Sequence, residues 1–392
     1  MVSTIYSGFA QWANRSREER YRSLDTMRYA LEERRNRCAE THPMRISEME
    51  VICAENEQLA IADSAGAAIL SHYTMGQLCQ SISAPQGYLN TLSPGTAAQA
   101  LNEGLHKFED RERSILLEHS EQGNVARAIT SPQYSRYWDD DVVGDLLDAL
   151  TVDGWRVPPA RPYPGCPQED TWTATERDIL PGAAGFLSIR VGDTCGPAGL
   201  YASDRDMFVL LVNQERAIET VSGPMYRALI CRNSEVGASS YNVECILYNT
   251  ICGNHILWSA QSIASIRVVH RGSGQTTRLN GKSYLAAAIT AAENAGAAEE
   301  EKVISLSTQK KIEEKDVQAV TGLSAQQVKL AKLLAEQNPQ DHNGLADTAW
   351  GYVQGLTRAS QAASYMSERT AIDNAAAKLL RPFAKQVQNV AH

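Results

Sequence analysis

Residues 225–258 constrain the fold most strongly, because they alternate apolar runs with turn signals. Two β-rich runs, 226–231 and 241–251, are separated by a polar segment that ends in glycine. A third apolar run, 255–258, follows a Gly-Asn pair. Runs of β-branched and aromatic residues divided by such turns indicate consecutive antiparallel strands. The sequence therefore predicts a three-stranded antiparallel meander in the middle of the chain.

Neighbouring segments extend this meander into a larger sheet and then a helical region. Segments 186–191, 199–202 and 207–213 are typical of strands, and 260–269 fits either a helix or another strand. From residue 283 onward, alanine, glutamate, lysine and glutamine dominate. The predicted helices there cover 283–298, 300–337, 348–367 and 371–390. The sequence thus predicts an α+β fold, with a central antiparallel sheet packed with helices and followed by an α-helical C-terminal region.

The N-terminal segment has the spacing of one long helix, over residues 8–40. Between residues 8 and 38 eight arginines stand against five acids, so the segment carries a positive charge. The interleaved acids favour a solvated amphipathic helix with i,i+4 ion pairs. A contact with nucleic acid or with another subunit is the alternative.

Residues 46–155 mix both kinds of pattern and predict an α+β N-terminal region. Strand-like runs lie at 46–63, 113–117 and 124–129, and helical ones at 74–82, 96–108 and 142–150. Three consecutive aspartates, at 139, 140 and 141, precede the last of these helices. They are interpreted as an acidic first turn, which the helix dipole stabilises. Carboxylate ligands of a metal ion are the alternative.

A Pro-rich hinge at 156–170, with five prolines and one glycine, gives the clearest internal boundary. It completes the predicted division of the chain. The regions are an N-terminal amphipathic helix (1–45), the α+β region (46–155), the hinge (156–170), a central β-meander core (171–300) and a helical C-terminal domain (301–392).

The composition is that of a chain that can bury a substantial core, since 43% of its 392 residues are hydrophobic and only 21% are charged. A net charge of −9 argues against a generally basic binding protein but is compatible with a local basic groove. No apolar run approaches a membrane span, and the N-terminus lacks a signal-peptide pattern. We therefore expect a cytoplasmic protein. Its eight cysteines, which form no C-x-x-C pair, are expected to be buried thiols.

The segment 272–283 comes nearest to a phosphate-binding motif. It ends in Gly281-Lys282-Ser283, as a G-x-x-x-x-G-K-[ST] loop does, but Thr276 stands where the motif needs its first glycine. Without that glycine the tight turn that aims backbone N–H groups at phosphate is lost. A basic loop between a strand and a helix is therefore favoured over a nucleotide site.

Cys245, Cys252 and His255 have part of the composition of a zinc site, but no fourth ligand is identified. A Cys/His nucleophile pair lacks an orienting third group. The polar segment 233–237 predicts a tight turn or bulge, with a contact loop as the alternative. We therefore expect no enzymatic activity, no cofactor and no metal ion.

Basic and aromatic residues near the predicted sheet form the candidate nucleic-acid-binding site. Segment 266–283 carries a net charge of +4 and no acid, and such a cluster neutralises phosphates. Aromatic side chains beside a basic groove provide stacking platforms for single strands. The predicted phosphate contacts are Arg227, Arg232, Arg267, Arg271, Arg278 and Lys282, and the predicted stacking residues are Tyr226 and Tyr241.

Several stretches together resemble a known family, the phage/plasmid-like proteins of unknown function found on bacteriophages, plasmids and integrated elements. The matching stretches are APQGY at 84–88, ARAITSPQY at 126–134, NSEVG at 233–237, CGN at 252–254, WGYVQGLT at 350–357 and NAAAKLL at 374–380. The resemblance spans most of residues 70–385 in order. The family supplies no catalytic motif, so it implies no catalytic residue.

The resemblance implies a mobile-element protein in the cytoplasm of a bacterial host. Such elements encode single-strand annealing proteins with a Rad52-like or RecT-like core, an antiparallel sheet backed by helices that assembles into rings or filaments. We therefore predict a non-enzymatic homo-oligomer that binds and anneals single-stranded DNA in recombination, with phage or host recombination or replication proteins as partners and no membrane contact. The alternative is a protein-binding assembly or counter-defence factor that binds no nucleic acid. A third hypothesis is an enzyme, either a nucleotide-dependent one or a metal nuclease.

Overall fold

The computed structural model describes an N-terminal sheet, a central sheet and a C-terminal group of helices. The described residues are 15–63, 66–107, 111–121, 123–150, 154–162, 166, 168–179, 189–220, 223–249, 265–268, 274–294, 298–339, 344–360 and 366–390.

The first part of the chain forms a helix and then a mixed sheet covered by helices. The elements are α1 (Leu24–Asn36), β1 (Cys38–Glu40), β2 (Met44–Arg45), β3 (Glu50–Cys53), β4 (Leu59–Asp63), β5 (Gly66–Leu70), α2 (His72–Ser81), α3 (Gln86–Leu89), α4 (Pro94–Lys107), β6 (Glu112–Ser120) and β7 (Gly123–Thr130). The strand order is β1-β6-β7-β5-β4-β3, with β2 beside β6, and β5 pairs with β7 in parallel. Leu78 of α2 and Leu101 of α4 are buried against Ile61 and Ile115 of the sheet, which forms the first core.

A helix and short strands connect this sheet to the central one. They are α5 (Asp139–Ala149), β8 (Trp155–Arg156), β9 (Pro159–Ala160), β10 (Trp172–Thr173) and β11 (Thr194–Pro197). β10, β11 and β9 form a small antiparallel sheet, whereas β8 pairs with a strand of the central sheet. The Pro-rich stretch therefore contributes short strands to two sheets.

The central sheet is an antiparallel meander built from consecutive strands. These are β12 (Leu200–Ala202), β13 (Met207–Thr220), β14 (Gly223–Asn233), β15 (Tyr241–Asn249) and β16 (Ser265–Val268), each paired with the next. Leu229 and Cys231 of β14 and Tyr241 and Val243 of β15 are buried in one cluster with residues of α1 and α5. Alternate positions of the strands therefore form the second core, as the period-two pattern requires.

The C-terminal part of the chain is helical. Its helices are α6 (Gly274–Asn294), α7 (Ala298–Gln309), α8 (Glu314–Thr321), α9 (Ala325–Gln337), α10 (Ala349–Ser360) and α11 (Met366–Val390). α6 packs on the central sheet through Leu285 and Ala288, while α7 to α11 surround a third core that includes Val317, Val328 and Leu356. No described helix is long and apolar enough to cross a membrane.

The predicted fold class is confirmed: the chain is α+β, with an antiparallel central sheet and a helical C-terminal region. The predicted strand 226–231 lies within β14, and the predicted strand 241–251 contains all of β15. The third predicted strand of the meander, at 255–258, and positions 186–188 of another lie outside the described residues.

Three local predictions were wrong in extent. Within the described residues the N-terminal helix covers only Leu24–Asn36, because the chain leaves it to form β1. The predicted helix at 300–337 is three helices, α7 to α9. The basic segment 272–283, predicted as a loop, is helical from Gly274 onward.

Candidate functional site

Two of the predicted phosphate contacts, Arg278 and Lys282, lie one turn apart on α6 and face the acidic residues of α5. Arg278 forms ion pairs with Asp141 at 2.8 Å and Asp145 at 3.3 Å. Lys282 lies 3.0 Å from an Asp148 carboxylate oxygen and 3.5 Å from one of Asp145. Both cations are therefore beside carboxylates of their own chain. Of these aspartates, Asp141 belongs to the acidic first turn of α5 that the sequence predicts.

Arg227 and Arg232 lie on opposite faces of β14, because five positions of an unbroken strand separate them. Both are buried, with exposed fractions of 7% and 6%. Arg232 Nη2 donates to Asn242 Oδ1 at 3.0 Å. These two arginines are therefore not on one surface.

Tyr241, a predicted stacking residue, is fully buried. Its ring meets Tyr137 edge-on, with 5.0 Å between the ring centroids. Burial raises the pKa of the Tyr241 hydroxyl far above its ordinary value. The ring is therefore part of the core of the central sheet.

For two of the remaining predicted contacts only the strand is described, and the third lies outside the described residues. Tyr226 belongs to β14 and Arg267 to β16, whereas Arg271 lies outside the described residues. Phosphate binding by the whole predicted set stays a prediction.

Gly281 in the phosphate-like motif has a packing role. It lies inside α6, and a methyl group added there would overlap the ring of Tyr137. The glycine allows α6 to approach the core closely, whereas a phosphate loop needs glycine before the helix begins.

The zinc candidates fall mostly outside the described residues, which include only the backbone of Cys245 from that set. Within the described part of the chain, no group of three or more His, Cys, Asp or Glu side chains could hold a metal ion.

The polar turn after β14 is buried at the meeting point of three elements. Asn233, Ser234 and Glu235 are each at most 4% exposed. Glu235 Oε1 accepts hydrogen bonds from Arg127 of β7 at 2.7 Å and from Arg34 of α1 at 3.1 Å. The turn thus connects α1 and the N-terminal sheet to the central sheet.

Asp139, the first residue of α5, completes this junction. Arg34 Nη2 donates to its Oδ2 at 3.2 Å, and Asn233 Nδ2 donates to its Oδ1 at 2.8 Å. The Asp139 backbone N–H donates to Glu235 Oε2 at 3.2 Å. We call Arg34, Arg127, Asp139, Asn233 and Glu235 the junction cluster.

The two carboxylates of the junction cluster differ in their protonation. Burial and the adjacent negative charge of Glu235 raise the pKa of Asp139 to about 8. Burial favours the neutral form of Glu235 too, but Arg34 and Arg127 outweigh it and lower the pKa of Glu235 to about 2. Buried pairs of this kind also occur in purely structural networks. The cluster is closed to a polymer because its side chains are buried.

A second feature, which the sequence analysis missed, is a helix-turn-helix formed by α8 and α9. α8 ends at Thr321, Gly322 follows with a φ of +75°, and α9 begins after Ser324. Ser324 and Gln327 form a capping box, in which Gln327 Oε1 accepts from the Ser324 N–H at 3.0 Å. Two helices joined by a short turn that contains glycine form a helix-turn-helix, a connection that DNA-binding units share with other helical folds.

Local signals for this turn are present in the sequence. A glycine in the left-handed region ends one helix, and Ser-x-x-Gln begins the next. The long Ala/Glu/Lys/Gln-rich run from 300 to 337 concealed them, because helical composition continues across the break.

The helix-turn-helix is anchored on one side. Val317 of α8 and Val328 and Ala331 of α9 are buried in the third core. A methyl group added at Gly355 of α10 would overlap the Ala331 carbonyl, so α9 and α10 pack backbone to backbone.

The opposite side of α9 is exposed. Five exposed residues lie at helical spacing along this side, Ala325, Gln326, Lys329, Leu330 and Leu333, and the acid Glu336 is exposed on the same side in the last turn. Leu330 and Leu333 are 48% and 49% exposed. No described residue hydrogen-bonds or pairs with the side chains of Gln326 or Lys329. We call these five residues the α9 face.

Comparisons with known proteins place the chain in a family without assigning it an activity. A family model described as a domain of unknown function, DUF932, matches residues 182–380, just over half of the chain. No curated protein and no solved structure matches the chain. The expectation of a family of unknown function is thereby confirmed. The matched segment includes the central sheet and the helix-turn-helix, and the chain belongs to the DUF932 domain family.

Proposed function

We propose that this protein is a non-enzymatic DNA-binding protein and that the α9 face is its DNA contact. The observation that carries the proposal is the exposed α9 face, with Gln326 and Lys329 near its start, on the second helix of a helix-turn-helix. In DNA-binding units of this form the second helix enters the major groove while the first crosses the backbone.

The dimensions and the anchoring of α9 support this role. An α-helix with its side chains is about 10–12 Å wide, and the major groove is about 12 Å wide. Val328 and Ala331 hold the inner side of α9 in the core, so the outer side faces away from it. The capping box and the left-handed Gly322 fix where α9 begins. A rigidly held helix presents its side chains with little loss of conformational entropy on binding.

The small positive charge of the α9 face indicates that it makes few contacts with DNA phosphates. Lys329 is the cation of the α9 face, whereas Lys315 pairs with Glu313 and Lys332 with Glu314. Each phosphate contact contributes about −0.9 to the slope of log K against log salt on duplex DNA. A monomer should therefore bind with a shallow salt dependence.

The resemblance to phage/plasmid-like proteins directs the proposal toward the DNA of a mobile element in a bacterial cytoplasm. Annealing of single strands by an oligomer with a Rad52-like or RecT-like core is a separate part of the proposal. It rests on the resemblance and on the antiparallel central sheet, which is a fold-level analogy.

Binding of labelled duplex and single-stranded oligonucleotides, followed by fluorescence anisotropy at several salt concentrations, tests the proposal. The native protein should bind duplex DNA at low salt. Lys329→Ala should weaken binding to all sequences alike and reduce the salt slope by about one. The matched control is Lys107→Ala, which removes an exposed helical lysine from α4.

Two results would overturn the duplex proposal. One is the absence of duplex binding at low salt, and the other is an equal effect of Lys329→Ala and Lys107→Ala. Capture of a protein partner from nuclease-treated lysate, with loss of that partner in Leu330→Ala, would favour the assembly-factor alternative. Tighter binding to single strands, with complementary strands annealed faster than in buffer, would support the annealing role.

A further inference from the structure

We infer that the α9 face reads A·T base pairs in the major groove, with Gln326 contacting adenine and Leu330 contacting the thymine methyl group. The inference rests on the proposed DNA binding and adds the class of sequence that is recognised.

Gln326 has the chemistry that adenine requires. Its amide can donate to adenine N7 and accept from the adenine N6 amino group in one bidentate contact. The neighbouring Gln327 is engaged in the capping box with Ser324. Gln326 is exposed and has no hydrogen-bond partner among the described residues. Of the two consecutive glutamines, Gln326 is therefore the one available for a base.

Leu330 lies one helical turn beyond Gln326 and on the same side of α9. Four residues advance about 6 Å along a helix, which corresponds to between one and two base-pair steps of about 3.4 Å. An exposed aliphatic side chain at this position can pack on a thymine methyl group, which projects into the major groove. Gln326 and Leu330 are thus spaced to contact neighbouring or next-neighbouring base pairs.

The composition of the α9 face also disfavours one common kind of readout. Arginine or lysine makes the most frequent specific contact to guanine, and among the five residues of the α9 face Lys329 alone is of this kind. Lys329 lies between the two proposed base readers in the sequence, and we assign it to the phosphate backbone. With Lys329 on the backbone, no residue of the α9 face is assigned to the guanine acceptors or to the cytosine amino group of a G·C pair.

The test begins with selection of bound sequences from a randomised duplex library by the full-length protein. We expect enrichment of a short A·T-containing motif. In the selected duplex, adenines are then replaced one at a time by 7-deaza-adenine, which lacks the N7 acceptor, and thymines by deoxyuridine, which lacks the methyl group. These changes act on the DNA, so they leave the fold of the protein intact.

The native protein should lose affinity at one adenine by part of the roughly 5- to 150-fold that a whole bidentate contact provides, because 7-deaza-adenine removes one of its two hydrogen bonds. Gln326→Ala should bind the native and the 7-deaza duplex equally. Leu330→Ala should likewise not distinguish thymine from deoxyuridine at one position. Gln99→Ala, which changes an exposed glutamine of α4, should behave as the native protein does.

The failure of this inference is distinguishable from failure of the proposed function. Duplex binding without an enriched motif, or equal losses in the native protein and in Gln326→Ala, would overturn the readout and leave DNA binding in place. An enriched G·C-rich motif whose recognition depends on Lys329 would also overturn it. The absence of any duplex binding would refute the proposed function itself.

Discussion

Asp139 and Glu235 both accept a hydrogen bond from the same nitrogen atom of Arg34. Arg34 Nη2 lies 3.2 Å from Asp139 Oδ2 and 3.1 Å from Glu235 Oε1. The two acids are far apart in the sequence, and Arg127 binds Glu235 from a third segment. A buried ion pair adds little net stability, but removal of one partner leaves a buried charge uncompensated. The junction cluster should therefore be very sensitive to single substitutions.

Glu235→Ala should lower the free energy of unfolding by about 3–5 kcal/mol, because Arg127 would keep its buried charge without its closest partner. Urea denaturation followed by circular dichroism measures this. Glu121→Ala, on an exposed turn, is the control and should change stability by less than about 0.5 kcal/mol. Similar midpoints for the two variants would contradict a structural role for the cluster.

Asp139 should make stability depend on pH. Its pKa is raised from the ordinary 3.8 to about 8, so between these values the folded protein holds a proton that the unfolded chain releases. The contribution of Asp139 protonation to the free energy of unfolding is complete below about pH 4 and is lost as the pH rises through about 8. Glu235 acts in the opposite sense, since its lowered pKa favours the folded state above about pH 4.5 and this contribution is lost toward pH 2.

Urea midpoints measured at intervals from pH 4 to 9, for the native protein and for Asp139→Asn, test this dependence. The difference in unfolding free energy between the native protein and the variant should shrink as the pH rises. Asp204→Asn, on an exposed turn, controls for the loss of one acid. A difference that is constant, or that grows with pH, would contradict the raised pKa of Asp139.

Gly355→Ala should destabilise the C-terminal helices, since the added methyl group would overlap the Ala331 backbone carbonyl and push α9 from α10. Overpacking of this kind costs about 1–3 kcal/mol, more than the roughly 1 kcal/mol that alanine gains over glycine in a helix. Gly95→Ala in α4 is the matched control, because nothing lies within 4 Å of the new methyl group. We expect a lower denaturation midpoint for the first variant only, and weaker duplex binding with it. An unchanged midpoint would show that α9 is not held by this contact.

Local patterns in the sequence predict β12 to β15 of the central sheet and most of the helices, but they miss several strands elsewhere, such as β1, β2 and β5. The apolar run that predicts β14 is continuous because both faces of that strand are buried from Arg227 to Asn233, and a sequence records such a run directly. The same local logic, applied to Gly322 and Ser324, would have located the break between α8 and α9. The Ala/Glu/Lys/Gln-rich composition of 300–337 favours one continuous helix across that break.

Long-range contacts explain what the sequence could not provide. Glu235 was recognised as part of a polar turn, but its partners Arg34 and Arg127 lie in distant segments, so its burial has no local signature. Gly281 matched the end of a phosphate motif, whereas its role is to admit the ring of Tyr137. The basic character of 266–283 was likewise assessed without the acids of α5, which only the fold brings beside α6.

Those acids give the last prediction, which concerns single-stranded DNA. If Arg278 and Lys282 contact phosphates, Asp141 and Asp148 compete with the strand for the same cations. The double variant Asp141→Asn with Asp148→Asn should then bind single strands more tightly, and its salt slope should steepen by up to about 0.7 per released cation. The double variant Asp25→Asn with Asp204→Asn removes the same total charge from exposed positions and should gain less affinity. Fluorescence anisotropy on one oligonucleotide measures both affinities. If the two double variants bind it equally well, Arg278 and Lys282 do not contact the phosphates.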